Sequence, residues 1–146
     1  MSMQQYCTFT VDGTLFGVDV HEIQEVIRYQ EMTRVPLSAS VVSGLINLRG
    51  QIVTAIDMRT RLSMPPRAEG QKPMNVVLRT EDGAVSLLVD DIGDVLEVSE
   101  DAWEPAPRTL KGAARELISG VYKLEKGLLL VLDADKALAA EAKGEA

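Results

Sequence analysis

What the sequence has little of narrows its function first. It holds one cysteine, Cys7, and one histidine, His21, in 146 residues. A lone cysteine closes no internal disulfide, and a lone histidine supports neither a phosphohistidine relay nor a His-rich metal site. Alternation with Phe9 and Val11 puts Cys7 on the apolar face of a strand as a buried structural residue, and His21 reads as a solvated loop residue. Aromatic residues make up 4% of the chain, and no basic stripe is interleaved with them. A net charge of -7 is also the wrong sign for clustered phosphate contacts, so nucleic acid is a poor partner. No apolar run approaches the roughly 18 residues of a membrane span. The opening Met-Ser-Met-Gln-Gln lacks the basic and then long apolar regions of a signal peptide, so a cytosolic location is expected.

What is present is material for a core: 46% of the residues are hydrophobic and mean hydropathy is close to zero. Hairpin signals recur at Val11-Asp-Gly-Thr14, Glu81-Asp-Gly-Ala84 and Glu125-Lys-Gly-Leu128, each flanked by β-branched or leucine-rich runs. Period-two alternation marks Ile52/Thr54/Ile56/Met58, Val85/Leu87/Val89 and Leu128/Leu130/Leu132 as one-faced strands. The chain is therefore expected to be mainly β. Ser63 to Pro73 is rich in proline, glycine and charge and separates two sets of about five strands, so a subdomain boundary is expected there. Two small barrels over roughly 14–72 and 73–140 follow, with Tyr6–Val11 free to pair with the second. Helical signals are confined to a turn at His21–Ile27, a piece at Thr109–Leu117 weakened by Gly112, and a C-terminal stretch from Asp135 to Ala142 behind an aspartate N-cap.

The best candidate for recognition is Asn-Leu-Arg-Gly at 47–50, a glycine turn between two apolar runs that contain no nucleophile, base or metal cluster. Arg49 has two readings there: closing the turn on local carbonyls, or presenting its donor fork to a partner. Ile23, Val26 and Ile27 read as a helically spaced set, with Val26 and Ile27 in the core and Ile23 a contact candidate. Asp90, Asp91 and Asp94 lack the spacing of a calcium loop and read as a solvated strand end. A β-barrel enzyme using Asp90 and Asp94 as paired carboxylates is the competing reading from another class, motivated only by that acidic clustering. Asp57 follows a strand but has no βαβ context, which excludes a receiver domain and leaves a turn or salt-bridge role. Trp103, between an acidic run and Pro105, is either a lid over one barrel or an interface anchor.

Taken in order, Leu15-Phe-Gly-Val-Asp-Val, Ile23-Gln-Glu-Val-Ile, Val42-Ser-Gly-Leu-Ile-Asn-Leu-Arg-Gly, Ile56-Asp-Met-Arg, Val89-Asp-Asp-Ile-Gly-Asp-Val-Leu, Pro105-Ala-Pro and Leu130-Val-Leu-Asp-Ala-Asp-Lys-Ala-Leu form a specific series. The chain resembles the CheW family of chemotaxis coupling proteins over essentially its full length. That resemblance implies one CheW-like domain, 1–146, of two five-stranded SH3-like barrels packed together with a groove between them and a short C-terminal helix. It implies a non-catalytic adaptor without metal or cofactor, bridging the cytoplasmic tip of a methyl-accepting chemoreceptor to the regulatory domain of a CheA-type histidine kinase. Membrane association then comes only indirectly, through receptor arrays. The implied receptor contacts are Ile23, Glu25, Arg49, Ile92 and Val95. The implied kinase contacts neighbour the Pro-Ala-Pro loop: Trp103, Glu104, Arg108 and Thr109. Thr54 and Ala55 stand where many members have proline, and Thr109 stands where a larger apolar anchor is expected, which shifts the buried area to Trp103. A coupling protein of a divergent, non-flagellar kinase pathway shares every one of these features. The first eighty residues carry 8 basic and 7 acidic residues and the rest 7 and 15, so a partner contact of the second half is expected to depend on salt.

Overall fold

The computed structural model of the protein describes residues 2–36, 40–81, 83–110, 112–125 and 127–138. Its strands are β1 (Met3–Val11), β2 (Thr14–Asp19), β3 (Ile23–Ile27), β4 (Val42–Leu48), β5 (Gln51–Asp57), β6 (Met74–Thr80), β7 (Gly83–Val89), β8 (Asp91–Ser99), β9 (Trp103–Pro105), β10 (Ile118–Leu124) and β11 (Gly127–Leu132). The helices are short: α1 (Met58–Arg61), α2 (Gly112–Leu117) and α3 (Ala134–Leu138). The strands form two sheets, ordered β3-β6-β7-β5-β4 and β8-β1-β2-β11-β10-β9. The second thus has six strands, the sixth being the three-residue β9.

Each sheet curls until its two ends meet. In the first, the chain beyond β3 returns to β4, where Thr33 and Leu45 exchange two backbone hydrogen bonds of 2.9 and 2.8 Å. In the second, β8 runs through one 3-10 turn directly into β9, so covalent continuity joins the ends. Closing the sheets leaves few unpaired edges.

The sheets cut the chain differently from the expected halves 14–72 and 73–140. β6 and β7 complete the first barrel with β3 to β5, and β2 joins β1 and β8 to β11 in the second. The reason is that β7 lies parallel to β5, and parallel neighbours need a long connection rather than a hairpin. Ser63 to Pro73 is part of that connection, not a boundary. The 14–72 and 73–140 division is corrected accordingly, whereas Tyr6–Val11 does pair across the molecule, Tyr6 opposite Leu96 on β8. The helical reading of His21–Ile27 also fails beyond its first residues. A 3-10 turn covers Val20–Glu22 and Ile23–Ile27 is strand, because β-branched Ile23, Val26 and Ile27 pair with β6. Of the C-terminal helix, the stretch beyond residue 138 lies outside the described residues.

Most strands bury both faces, which is how the barrels come to share a core. Phe9, Val11, Phe16 and Val18 from one sheet meet Ile56, Val76, Leu78, Leu87 and Val89 from the other in a central cluster. The opposite faces fill the barrels: Ile46, Val53, Val77 and Leu88 in one, Tyr6, Tyr122, Leu129 and Val131 in the other. Complete burial of each such Leu, Ile, Val or Phe side chain contributes roughly 1.5–3 kcal/mol, so the central cluster binds the barrels into one body. Cys7 is buried, and burial pushes its thiol above the ordinary range, which makes it inert packing as expected.

An ionic joint crosses the same boundary. Asp90, the one residue between β7 and β8, is 8% exposed and not part of a solvated strand end. Arg59 Nε and Nη2 reach its oxygens at 3.0, 3.2 and 2.7 Å, and Arg67 Nε lies 2.9 Å from Oδ1 as an ion pair. The Asp12 amide of the β1–β2 turn donates to Oδ2 at 2.7 Å. Asp57 caps α1 through the Arg59 amide and accepts from Arg67 Nη1 at 2.9 Å, so it has both a turn and a salt-bridge role. Burial alone would raise the Asp90 carboxyl; the Arg59 and Asp12 hydrogen bonds and both guanidinium charges outweigh it and hold Asp90 below the usual carboxylate range. Asp90 is therefore ionised at neutral pH and held in place by its partners, which makes it a poor general acid. Asp94 lies on exposed strand, its carbonyl accepting from Thr8 Oγ1 at 2.6 Å.

Asp90→Asn leaves two buried guanidinium groups short of a counter-charge and should cost about 3 kcal/mol, read as the urea unfolding midpoint at neutral pH. The folded carboxyl titrates below its unfolded value of about 3.9, so its contribution is complete at neutral pH and is lost as pH falls below about 4. The variant should accordingly show a shallower acid limb in a stability–pH profile. Parallel acid limbs for the two proteins would mean that Asp90 does not carry this linkage.

Candidate functional site

The Asn-Leu-Arg-Gly segment makes a two-residue hairpin turn between β4 and β5, with Leu48 opposite Gln51. Both turn residues have positive φ, 51° at Arg49 and 88° at Gly50, and Asn47 Oδ1 accepts from the Gly50 amide at 3.0 Å. Such turns favour Asn-Gly or Gly-Gly, because the left-handed region costs an L side chain roughly 1–2 kcal/mol. Glycine, asparagine or aspartate would fit position 49 better than arginine. Its side chain, 68% exposed, does not close the turn on local carbonyls; it pairs with the Glu25 carboxylate of β3. That contact bridges β3 and β4, the two ends of their sheet, with Gln24 and Gln51 alongside at 3.5 Å. Hydrogen bonding from Arg49 is the main force lowering the Glu25 carboxyl from its ordinary value.

Two β-bulges decide where the expected apolar contacts point. Between Ile23 and Glu25 the register with β6 shifts, so Ile23 sits opposite Leu78 of the central cluster and Glu25 opposite Val77 of a barrel interior. Ile23 and Glu25, two apart in sequence, consequently do not share a face. The converse holds on β8: Cys7 and Phe9 of β1 lie opposite Val95 and Ile92, three residues apart, which brings Ile92 and Val95 to one side. Gly93 permits this, since a Cβ there would lie 2.5 Å from Thr8 Oγ1. Ile23 and Ile92 both pack against the central cluster, and Val95 on the same side stays 56% exposed. The five expected receptor residues thus form two groups, an ion pair at the barrel seam and an apolar set at the inter-barrel face. Val26 and Ile27 are only partly buried, although both were expected in the core.

Trp103, Glu104, Arg108 and Thr109 are all exposed, on edge strand β9 and the turn after it. Trp103 is 43% exposed and lies across Gly120, where an added Cβ would collide with the indole; it covers the barrel and also faces solvent. Glu104 pairs with Lys123 at 3.3 Å. Ile52, 62% exposed one residue beyond the hairpin, escaped notice because alternation marked it as a core position. A cleft of about 790 Å³ bordered by Tyr29, Arg34, Pro36, Val42 and Thr60 was equally unforeseen, and none of the expected contact residues lines it. No helix among the described residues is long and apolar enough to cross a membrane.

A family model described as the CheW-like domain matches residues 5–142 of this chain. The chain belongs to the CheW-like family. It is 29% identical over 138 residues to the chemotaxis protein CheW of Klebsiella aerogenes, covering 94% of this chain and 83% of that one. Against the chemotaxis protein CheW of Thermotoga maritima the identity is 31% over 129 residues, with 88% and 83% covered. The CheW-like fold recurs in the crystal structure of scaffolding protein TtCheW from Thermoanaerobacter tengcongensis, at a TM-score of 0.81, 22% identity and 90% coverage of both chains.

In a carboxyl NMR titration, Glu25 should move up toward the ordinary glutamate value on Arg49→Ala; an unchanged midpoint would mean the pair does not persist in solution. Arg49→Gly relieves the left-handed strain and should raise stability by up to about 1 kcal/mol. A loss of stability would instead make the arginine side chain a structural element.

Proposed function

We propose that this CheW-like chain is a non-catalytic adaptor that couples methyl-accepting chemoreceptors to a CheA-type histidine kinase in chemotaxis. The observation that carries the reading is Arg49: a strained, exposed arginine at a turn where glycine would be more stable is the kind of residue retained for recognition. The names of its relatives, chemotaxis protein CheW and scaffolding protein, support the same role. The adaptor works in the cytoplasm and reaches the membrane only through the receptors it binds.

A receptor tip, as a helical hairpin, calls for an apolar strip with a few polar anchors. Ile23, Ile92 and Val95 supply the strip, and Arg49 with Glu25 supplies the anchor. Pairing with Glu25 holds the guanidinium aimed while leaving donors for a carboxylate or helix-end carbonyl of the partner. The kinase regulatory domain takes the other surface, with Trp103 as the apolar centre and Glu104, Arg108 and Thr109 around it. Separate surfaces let one molecule hold both partners at once. Weak single contacts then suffice, because an array multiplies them.

Purified protein should capture both a receptor cytoplasmic fragment and the kinase regulatory domain, and binding to neither would end the proposal. Arg49→Glu should weaken receptor binding about tenfold or more while leaving kinase binding and the fold intact, the usual scale for reversing a central charged anchor. Equal loss for both partners would argue against two surfaces. Kinase binding should also vary with ionic strength, since residues 91–104 hold six carboxylates and no basic residue. Flat salt titrations for both partners would refute that electrostatic share.

A further inference from the structure

The Asp90 joint has more directional contacts than adhesion between the barrels requires. Arg59 is fixed on its own barrel by Nη1 donating to the Pro65 carbonyl at 3.0 Å, and Arg67 by Nη1 on Asp57 and Nη2 on the Leu88 carbonyl at 3.1 Å. Both guanidinium groups belong to the connection between β5 and β6 and point at the residue where the chain crosses to the other barrel. From that other barrel, the Asp12 amide grips the same carboxylate, and the Thr10 carbonyl accepts from the Asp90 amide at 2.9 Å. The side chains of Arg59, Arg67 and Asp90 are 11, 9 and 8% exposed. Asp12, 45% exposed at 3.7 Å from Arg59, is the fifth charged group of the cluster.

We infer that Asp90, Arg59 and Arg67 are positioning residues that fix the angle between the two barrels. The apolar cluster beside them is non-directional and resists separation far more than it resists sliding or rotation. A forked guanidinium on a carboxylate admits one approach. Arg59 is such a fork, with Nε and Nη2 both on Asp90, and Arg67 adds a single Nε ion-pair contact to the same anion while its other two nitrogens hold it to its own barrel. Desolvation largely offsets the attraction of buried ion pairs, so their contribution lies in specifying one arrangement more than in net stability. Ile23 stands on one barrel and Ile92 with Val95 on the other, so the inter-barrel surface keeps its shape only while that angle holds. The inference concerns the isolated protein and does not depend on the adaptor reading.

Its test replaces the ions with apolar groups: Asp90→Leu, Arg59→Met and Arg67→Met combined, with Arg67→Met alone as the milder variant. Spin labels at Arg79→Cys on β6 and Glu97→Cys on β8, both exposed positions, in a Cys7→Ala background, report the inter-barrel distance by pulsed electron resonance. The unsubstituted cluster should give one narrow distribution. The triple variant should still unfold in one cooperative transition, with its distribution broadened or shifted, and Arg67→Met should fall between. An unchanged distribution in the triple variant overturns the inference. Should the triple variant fail to fold, Arg67→Met decides: broadening supports the lock, and an unchanged distribution overturns it.

Discussion

Asp90 sits where the backbone leaves one barrel for the other, and its carboxylate is held by groups from both, so the arrangement of everything else follows from how that one anion is satisfied. Burying a carboxylate is unfavourable unless charge and hydrogen bonds replace water. Arg59 and Arg67 supply the charge. Supplying it from the β5–β6 connection obliges that connection to lie against the joint, which is why a stretch so rich in proline and charge behaves as a strap and not as a linker. The apolar residues above the joint then pack as a single cluster between two sheets that each have an interior of their own.

A second constraint is the placement of irregularities. Strand pleating alone would put Ile23 with Glu25 on one face and split Ile92 from Val95. One bulge in each of β3 and β8 reverses both outcomes. Apolar side chains are collected toward the inter-barrel face, and the one acidic partner is left at the seam where Arg49 can reach it. The proposed recognition surface is consequently a product of register shifts as much as of residue choice.

Strand content, the three Gly-containing hairpins, the burial of Cys7 and the family were legible in the sequence because each rests on local pattern. Which strands share a barrel was not, since a parallel partner such as β7 for β5 leaves no local mark. The acidic run at Asp90 and Asp91 looked uniformly solvated, yet the first is buried and the second exposed. Nothing within the run distinguishes them; the arginines that do so lie 31 and 23 positions earlier by residue number. Ile23 to Ile27 had both helical spacing and β-branched residues, and pairing with β6 decided between them. At Arg49 the turn was legible, but the left-handed backbone and the Glu25 partner were not, because the latter is 24 residues away and on another strand.

Gly120 leaves a flat seat on β10 that the Trp103 indole occupies, and Trp103 is the only tryptophan in the chain. The molecule therefore carries a built-in optical reporter on its thinnest strand. Excited at the long-wavelength edge of its band, where the three tyrosines do not absorb, the indole reports by its emission whether β9 lies down on β10 or lifts into water. Events that leave both barrels folded but disturb that three-residue edge would be visible in unlabelled material, at concentrations far below those needed for spectroscopy of the backbone.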